Sequence, residues 1–388
     1  MDFRLSEDEQ LIQDAAKGLA KRYFAASAFD WDGKHAYPWE YGKKLAEHGF
    51  SGMLLTAEDG GHGRSLMEAV LVMETLSSIS PRAADVFQVM NTGALMQLAR
   101  FGTPALKARV LPSLLDGTKL ICTGMTEPDN GSDTTNIKTR ARIEGDKVVL
   151  NGGKIFNTHG DYASHWVIWC KFGPSTDDIG LVLVERGSPG FHISPARLFV
   201  SGDYFVDLGF DECRIPADHV ILPSHGFKKM INTFNFERMG NAARSLGQGQ
   251  LAFNLAVDYA KERNQFGRPL CEFQGLQWKF AEMKMKLEAA RLLIYRTAAN
   301  AAHDPTGTPR ADEVSLAKCF ANQAAFDIAN EALQIFGGSG YTVEAPINYL
   351  FRRTRGWMIA GGSIEIQKNN IAAHIFGRRF KQRAPQGS

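Results

Sequence analysis

Glu237 stands in the segment Thr233-Phe234-Asn235-Phe236-Glu237, flanked by two phenylalanines. A carboxylate among apolar groups is poorly solvated, and desolvation equips such a group to take a proton from a weak acid. Spacing alone also supports a plainer reading. Glu237, Asn241, Arg244 and Gln248 fall at i, i+4, i+7 and i+11, which draws a solvated polar stripe along one helix face. Four further segments carry groups suited to a polar ligand. Thr126-Glu127-Pro128-Asp129-Asn130-Gly131-Ser132-Asp133 reads as a surface turn, or as a loop whose N–H groups and hydroxyls face an anionic or carbonyl-rich ligand. Gly153–Gly160 reads alone as a loop between strands. Arg263–Pro269 reads as a helix C-terminus with a proline stop, and Gln334–Gly340 as a terminated helix. Arg263 adds a planar, always charged fork that suits a diphosphate.

Composition narrows the partners. The 388 residues carry Lys+Arg 44 against Asp+Glu 42, a net charge of +2. So even a balance gives no field for nucleic acid or an anionic membrane, which leaves small molecules and other subunits. Hydrophobic content of 44% and charged content of 22% are ordinary for a globular protein. The opening Met1-Asp2-Phe3-Arg4-Leu5-Ser6-Glu7-Asp8-Glu9 is acidic and lacks an apolar core, unlike a secretory signal. No run of about 18 apolar residues occurs, so no spanning helix is expected. The five cysteines, Cys122, Cys170, Cys213, Cys271 and Cys319, are widely spaced, with no C-x-x-C pair. Free thiols, no metal site and a reducing cytoplasm are the expectation.

Three zones would have to position these groups. Residues 1–118 read as a helical domain. Ser6 and Glu9 form a capping box ahead of Leu11, Ile12, Ala15 and Leu19, and further helices are expected at Pro38–His48, Ser65–Ser78, Asp85–Phe101 and Lys107–Asp116. Gly60–Gly63 and Ser80-Pro81 act as breakers. Residues 119–225 turn β-rich, with runs at Lys147–Leu150, His165–Cys170 and Leu181–Val184. A hairpin corner is expected at Glu144–Lys147, and a small antiparallel barrel or sandwich overall. Residues 226–388 return to long helical periods: about 227–263, 271–303, 312–336 and 363–376, which suggest an antiparallel four-helix bundle. The tail Arg383–Ser388 is expected to fray.

Individually weak, the segments become specific in their order. Thr126–Asp133, Gly153–Gly160, Glu237-Arg238, Arg263–Pro269, Gln334–Gly340 and Gly362–Gln367 together resemble the acyl-CoA dehydrogenase family along essentially the whole chain. Members of that family keep a glutamate base at one of two places. It stands before the first glycine of a late glutamate-glycine-threonine segment, or before an arginine far upstream. Here the late stretch is Ile359-Ala360-Gly361-Gly362-Ser363, and the upstream place holds Glu237 before Arg238. The resemblance implies a mostly α fold with a central β domain, and FAD between that domain and the C-terminal bundle. It implies flavin contacts from Thr123, Met125, Thr126, Gly131 and Ser132, cover from Phe156, Asn157 and Thr158, and a second set from Arg263, Phe266, Gln274, Gln334 and Gly338. Several of that second set come from a neighbouring subunit in family members, which implies an oligomer, a homotetramer built as a dimer of dimers. Ser363 and Glu365 match positions that hold the flavin after the late loop.

The reaction so implied removes a proton from the α carbon of an acyl-CoA thioester, with Glu237 as base, while hydride leaves the β carbon. Electrons would pass to an electron-transfer flavoprotein. Enolate-like charge on the thioester oxygen needs a preorganised donor, and the matching backbone N–H is that of Gly361. Ser132, Asn235, Arg238 and Ala360 match substrate positions; Asn235 replaces an aspartate that often meets the pantetheine arm. Phe156 replaces a more usual tryptophan, and His159 an asparagine. The small Ala360 and Gly361 point to a branched, cyclic, aryl or otherwise bulky acyl group. Tyr37-Pro38-Trp39, Arg268–Trp278 and Ile359–Gly362 also resemble the sulfinopropionyl-CoA desulfinases, which share the fold and flavin but lack both glutamates. Crotonobetainyl-CoA reductases, with a comparable Gly-Gly-Ser loop, mark the reverse direction.

Overall fold

In a computed structural model, which describes residues 4–380, the capping box forms as read: Ser6 accepts from Glu9 N–H, and the Glu9 carboxylate accepts from Ser6 N–H at 2.8 Å. It opens α1 (Glu7–Tyr23). The N-terminal helices continue as α2 (Trp39–Glu47), α3 (Leu66–Ser77), α4 (Pro81–Val89), α5 (Gly93–Phe101) and α6 (Pro104–Leu115). The single helix expected over 85–101 is therefore two. Ser80 caps α4 with Pro81 in its first turn, and the chain breaks at Met90–Thr92. Asn91 causes the break. Its buried amide accepts from Met53 N–H at 2.7 Å and donates to the carbonyls of Phe50 and Phe87, competing with the helix ladder. Gly93 then restarts the helix at φ +60°.

The middle zone is a nine-stranded sheet: β1 (Ile121–Gly124), β2 (Arg140–Glu144), β3 (Lys147–Thr158), β4 (His165–Lys171), β5 (Ile179–Glu185), β6 (Phe191–Ile193), β7 (Arg197–Leu198), β8 (Tyr204–Pro216) and β9 (Val220–Leu222). Its order runs β6-β8-β3-β2-β4-β5-β9, with β1 on β4 and β7 on β8. The ends do not meet, so the barrel reading is corrected to an open sheet. Nor is it wholly antiparallel, since β1 and β2 both meet β4 in parallel. The hairpin corner at Gly145-Asp146 joins β2 to β3 as expected. Trp166 and Trp169 of β4 are fully buried.

The C-terminal zone holds α7 (Phe227–Glu262), a short hairpin of β10 (Asn264–Gln265) and β11 (Arg268–Pro269), α8 (Gln274–Ala301), α9 (Ala311–Phe336), α10 (Pro346–Trp357) and α11 (Ile364–Ile375). α10 was not anticipated, although Pro346 at N1 and the buried Ile347 and Leu350 are a legible helix start. Glycines on α7 admit the N-terminal helices: a Cβ on Gly247 would meet the Glu74 carbonyl at 2.5 Å, and one on Gly240 would meet Gln88 Oε1 at 2.9 Å. The five cysteines are free, and among the described residues no helix is long and apolar enough to cross a membrane. The tail Arg383–Ser388 lies outside the described residues.

A buried charge cluster locks the three zones together. Arg353 of α10 donates to Asp203, just ahead of β8, at 2.8 Å and to Asp85 of α4. Arg244 of α7 donates to Asp85 at 2.8 Å. Arg82 of α4 pairs with Asp203 and donates to His159 Nε2 at 2.9 Å. His159, whose role the sequence left open, is thus a neutral acceptor: burial, then Arg82, pulls its pKa from 6.5 down to about 4. Burial alone would raise the Asp203 carboxyl, yet the charges of Arg353 and Arg82 outweigh it and hold the group low. Because folding depresses the His159 pKa, its contribution is complete above about pH 6.5. It is lost as pH falls toward 4, where the unfolded chain takes a proton that the fold refuses. His159→Gln keeps an acceptor that does not titrate. We expect its melting temperature to fall less steeply than wild type between pH 6.5 and 4; parallel slopes in a thermal scan would contradict the assignment.

Candidate active site

The stripe on α7 faces inward. Asn241, Arg244 and Gln248 are buried, and only Glu237 is partly open. Asn241 accepts from Asn322 at 3.0 Å, Arg244 binds Asp85 and lies over the Trp357 ring, and Gln248 accepts from Trp357 Nε1 at 2.9 Å. The solvated-stripe reading is overturned: each polar group has a partner on another element.

Glu237 reaches across to the break between α4 and α5. Gln88 Nε2 donates to Oε1, and the Thr92 hydroxyl lies 2.7 Å from Oε2. A Cβ on Gly93 would stand 3.0 Å from Oε2, so a bare backbone there makes room for the carboxylate. The group also faces the N-terminus of α5, whose partial positive charge favours an anion. Thr92 makes no side-chain cap for α5 and serves Glu237 instead. Nothing local in the sequence marks Gln88, Thr92 and Gly93, because helical periodicity runs through them and the break depends on the distant partners of Asn91.

Behind Glu237, Arg238 connects it to the late loop. Its guanidinium is buried, donating to the Gly361 carbonyl at 3.0 Å and to Asn235 Oδ1 at 2.9 Å. Burial first, then Arg379, pulls its pKa down to about 10. Asn235 is 1% exposed and its amide nitrogen faces the Pro309 carbonyl at 3.5 Å. Both of its polar atoms are engaged inside the protein, and its side-chain oxygen orients Arg238. Gly361 and Gly362 take φ of +71° and +91°, and neither N–H finds a partner among the described residues. Ala360 is exposed. Lys318 of α9, also missed, lies fully buried against the same loop. A lysine between Val314, Ala317 and Ala321, all buried helix positions, was its sequence signal.

The first flavin set assembles on one sheet edge. Thr123 lies in β1, Ile155 N–H bonds the Thr126 carbonyl at 2.9 Å, and Lys154 donates to the Met125 carbonyl at 3.2 Å. Buried Glu127 anchors the loop, pairing with Lys154 at 2.7 Å and accepting from Thr139 N–H at 2.9 Å. A bulge between Lys154 and Asn157 pushes Phe156 to φ 61° and leaves its ring 51% exposed. Asn157 Oδ1 is buried without a hydrogen-bond partner, and the Thr126 and Thr158 hydroxyls make no bond among the described residues. Gly131 and Ser132 are exposed. An orphaned acceptor, two idle hydroxyls and an open aromatic face fit a flat, heteroatom-rich group such as a flavin. Arg82, donating to His159 beside Thr158, and Gln88, donating to Glu237, sit six residues apart on α4, about 9 Å along its axis. One short helix therefore holds both the end of the sheet at His159 and the Glu237 carboxylate.

The second set lies elsewhere. Arg263 follows α7, about 39 Å along that helix from Glu237. It shares that end of the bundle with Gln334 and Gly338, because Tyr259 stacks on Phe336 at 4.2 Å. Phe266 is 93% exposed, at φ 51°, and Gln274 opens α8 nearby. Ser363 caps α11, accepting from Ile366 N–H, and Glu365 points to the surface.

Comparison with known proteins gives this geometry a context. Models for the N-terminal, middle and C-terminal domains of acyl-CoA dehydrogenase match residues 6–118, 122–213 and 224–376. A 3-sulfinopropanoyl-CoA desulfinase from Paraburkholderia xenovorans is 35% identical, over 98% of this chain and 99% of its own. A short-chain-specific acyl-CoA dehydrogenase from Clostridium acetobutylicum is 32% identical over 97% and 100%. The structure of a Mycobacterium smegmatis glutaryl-CoA dehydrogenase in complex with FADH2 superposes with a TM-score of 0.90, at 26% identity and covering 97% of each chain. Matched by all three domain models and by these full-length relatives, the chain belongs to the acyl-CoA dehydrogenase family.

Proposed function

We propose that this protein dehydrogenates an acyl-CoA thioester to the 2-enoyl-CoA, with Glu237 as the base. The observation that carries this reading is the aimed carboxylate: two donors from the N-terminal helices, one of them on the helix that also holds His159 beside Thr158, hold a partly open Glu237. Bound FAD supplies the two-electron acceptor for hydride from the β carbon. Thr123, Met125, Thr126, Phe156, Asn157 and Thr158 would hold its ring, with Gly131 and Ser132 at the pyrophosphate and Ser132 also toward the ligand. Ser363 and Glu365 would follow the late loop.

Glu237 takes the α proton, and the Gly361 N–H receives the charge that develops on the thioester oxygen. Arg238 fixes that glycine by its carbonyl. Arg263, Phe266, Gln274, Gln334 and Gly338 stand too far along the bundle to reach the same flavin. We infer that they serve the flavin of a second copy, as expected for a homotetramer. Their exposure in one chain, and the open space at Gly338, support this. Reducing equivalents would leave to an electron-transfer flavoprotein, and Ala360 with Gly361 would leave room for a bulky acyl group.

The 35% identity to a desulfinase keeps a lyase as the second reading. Elimination of a sulfinate needs no base at the α carbon, so the clamp on Glu237 favours dehydrogenation. Anaerobic titration against a panel of acyl-CoA thioesters separates the two: flavin bleaching supports dehydrogenation, and turnover with unchanged flavin supports the lyase. Glu237→Gln should bind FAD and ligand normally while the bleaching rate falls by about 10² to 10⁴; near wild-type bleaching would reject the assignment. Thr92→Val removes the hydroxyl at nearly constant volume. It should slow flavin reduction about tenfold, with KM unchanged, since one hydrogen bond to a charged group is worth roughly 1.5–3 kcal/mol; an unchanged rate would show that Thr92 does not aim the base.

A further inference from the structure

Lys318 is fully buried and makes no ion pair with a carboxylate among the described residues. Its Nζ lies 3.3 Å from the Trp357 carbonyl and 3.0 Å from the Gly362 carbonyl. The charged group facing it from α7 is Arg238, itself buried and likewise directed at a loop carbonyl; Cys319 faces it from α9. Burial, then Arg238, pulls the amine down to about 7. Two desolvated cations beside one another are a poor way to stabilise a bundle, and an apolar side chain of similar length would serve stability better. The ammonium must answer to something else in its surroundings. What it touches is one loop, held across its neck: Trp357 ends α10, Gly362 precedes the cap of α11, and Gly361 lies between them.

We propose that Lys318 is the positioning residue of the oxyanion site: by bridging the Trp357 and Gly362 carbonyls it fixes the loop that presents the Gly361 N–H to the thioester oxygen. The inference rests on the dehydrogenase reading. In a trans peptide the C=O and N–H point in opposite directions. The Gly361 and Gly362 carbonyls, drawn inward by Arg238 and Lys318, therefore turn the Gly362 and Ser363 N–H groups outward; with the Trp357 carbonyl held at the other end, they fix both flanks of the short stretch that carries the Gly361 N–H. The carbonyls do not depend on Lys318 for satisfaction, since Asn322 also donates to Trp357 and Gln367 donates to Gly362 at 3.0 Å. Removing the ammonium should leave the chain folded and the loop loosely aimed. Misplacement of a catalytic donor by about 1 Å costs on the order of 10² in rate.

The test uses FAD-loaded protein and a 3-thia-acyl-CoA, whose α proton can be removed but which cannot be dehydrogenated. Its enolate over oxidised flavin gives a long-wavelength absorbance band that reports proton removal alone. Lys318→Met should melt at or above the wild-type temperature, keep FAD, and keep KM for a turnover substrate. Its limiting rate of flavin reduction should fall about 10- to 100-fold, and the pH midpoint of the band should rise by about one to two units, equivalent to that loss. Lys318→Gln, which keeps one donor, should fall between. A band and rate equal to wild type in Lys318→Met would overturn the proposal. So would a Lys318→Met chain that fails to fold, because the ammonium would then be structural. No band in wild type would overturn the dehydrogenase reading, and this inference with it.

Discussion

Everything at the cleft depends on a carboxylate held from across a domain boundary. Glu237 belongs to the bundle, whereas Gln88 and Thr92 belong to the N-terminal helices. A side chain on its own helix would explore several rotamers, and fixing one costs roughly a kcal/mol or more of entropy. Two donors from a different domain fix the rotamer only if the domains themselves are fixed. That requirement explains the buried cluster of Arg82, Arg244 and Arg353 with Asp85 and Asp203, which touches α4, α7, α10 and the segment entering β8. Rigid docking of three zones thus becomes a geometric property of one carboxylate.

The same logic governs the other side of the cleft. The glycine pair at 361 and 362 gives the backbone left-handed freedom, and freedom at the proposed donor is a liability unless something restrains it. Arg238, Lys318, Asn322 and Gln367 restrain it through the carbonyls, leaving the amides unengaged. Arg238 adjoins Glu237 in the chain and holds Gly361 in space. The proposed base and donor are therefore tied to each other through adjacent residues, Glu237 and Arg238.

Much of this was legible in the sequence. The capping box at Ser6, the long helices after Gly226, the hairpin at Gly145 and the order of six motifs all appear as read. Local signals of this kind, caps, turns and period, survive tertiary packing. The failures share one cause, which is that they depend on long-range partners. The helix break at Met90–Thr92 arises from Asn91 bonding to Met53 and Phe50, some forty residues away. The polar stripe on α7 looked solvated because nothing local names Asp85, Asn322 or Trp357 as its partners. The open course of the sheet is likewise a matter of which distant strand pairs with which, and strand content cannot distinguish it from a barrel. Residues that aim the functional groups were thus the least legible, and residues that match a motif the most.

The central claim is one of distance, and a crystal structure of the FAD-loaded protein with a bound, unreactive acyl-CoA thioester measures it most directly. A Glu237 oxygen should lie within about 3.5 Å of the α carbon, on the face away from the isoalloxazine, with the Gly361 N–H on the thioester oxygen. A ligand seated in the cleft while Glu237 remains turned from the α carbon would contradict the account.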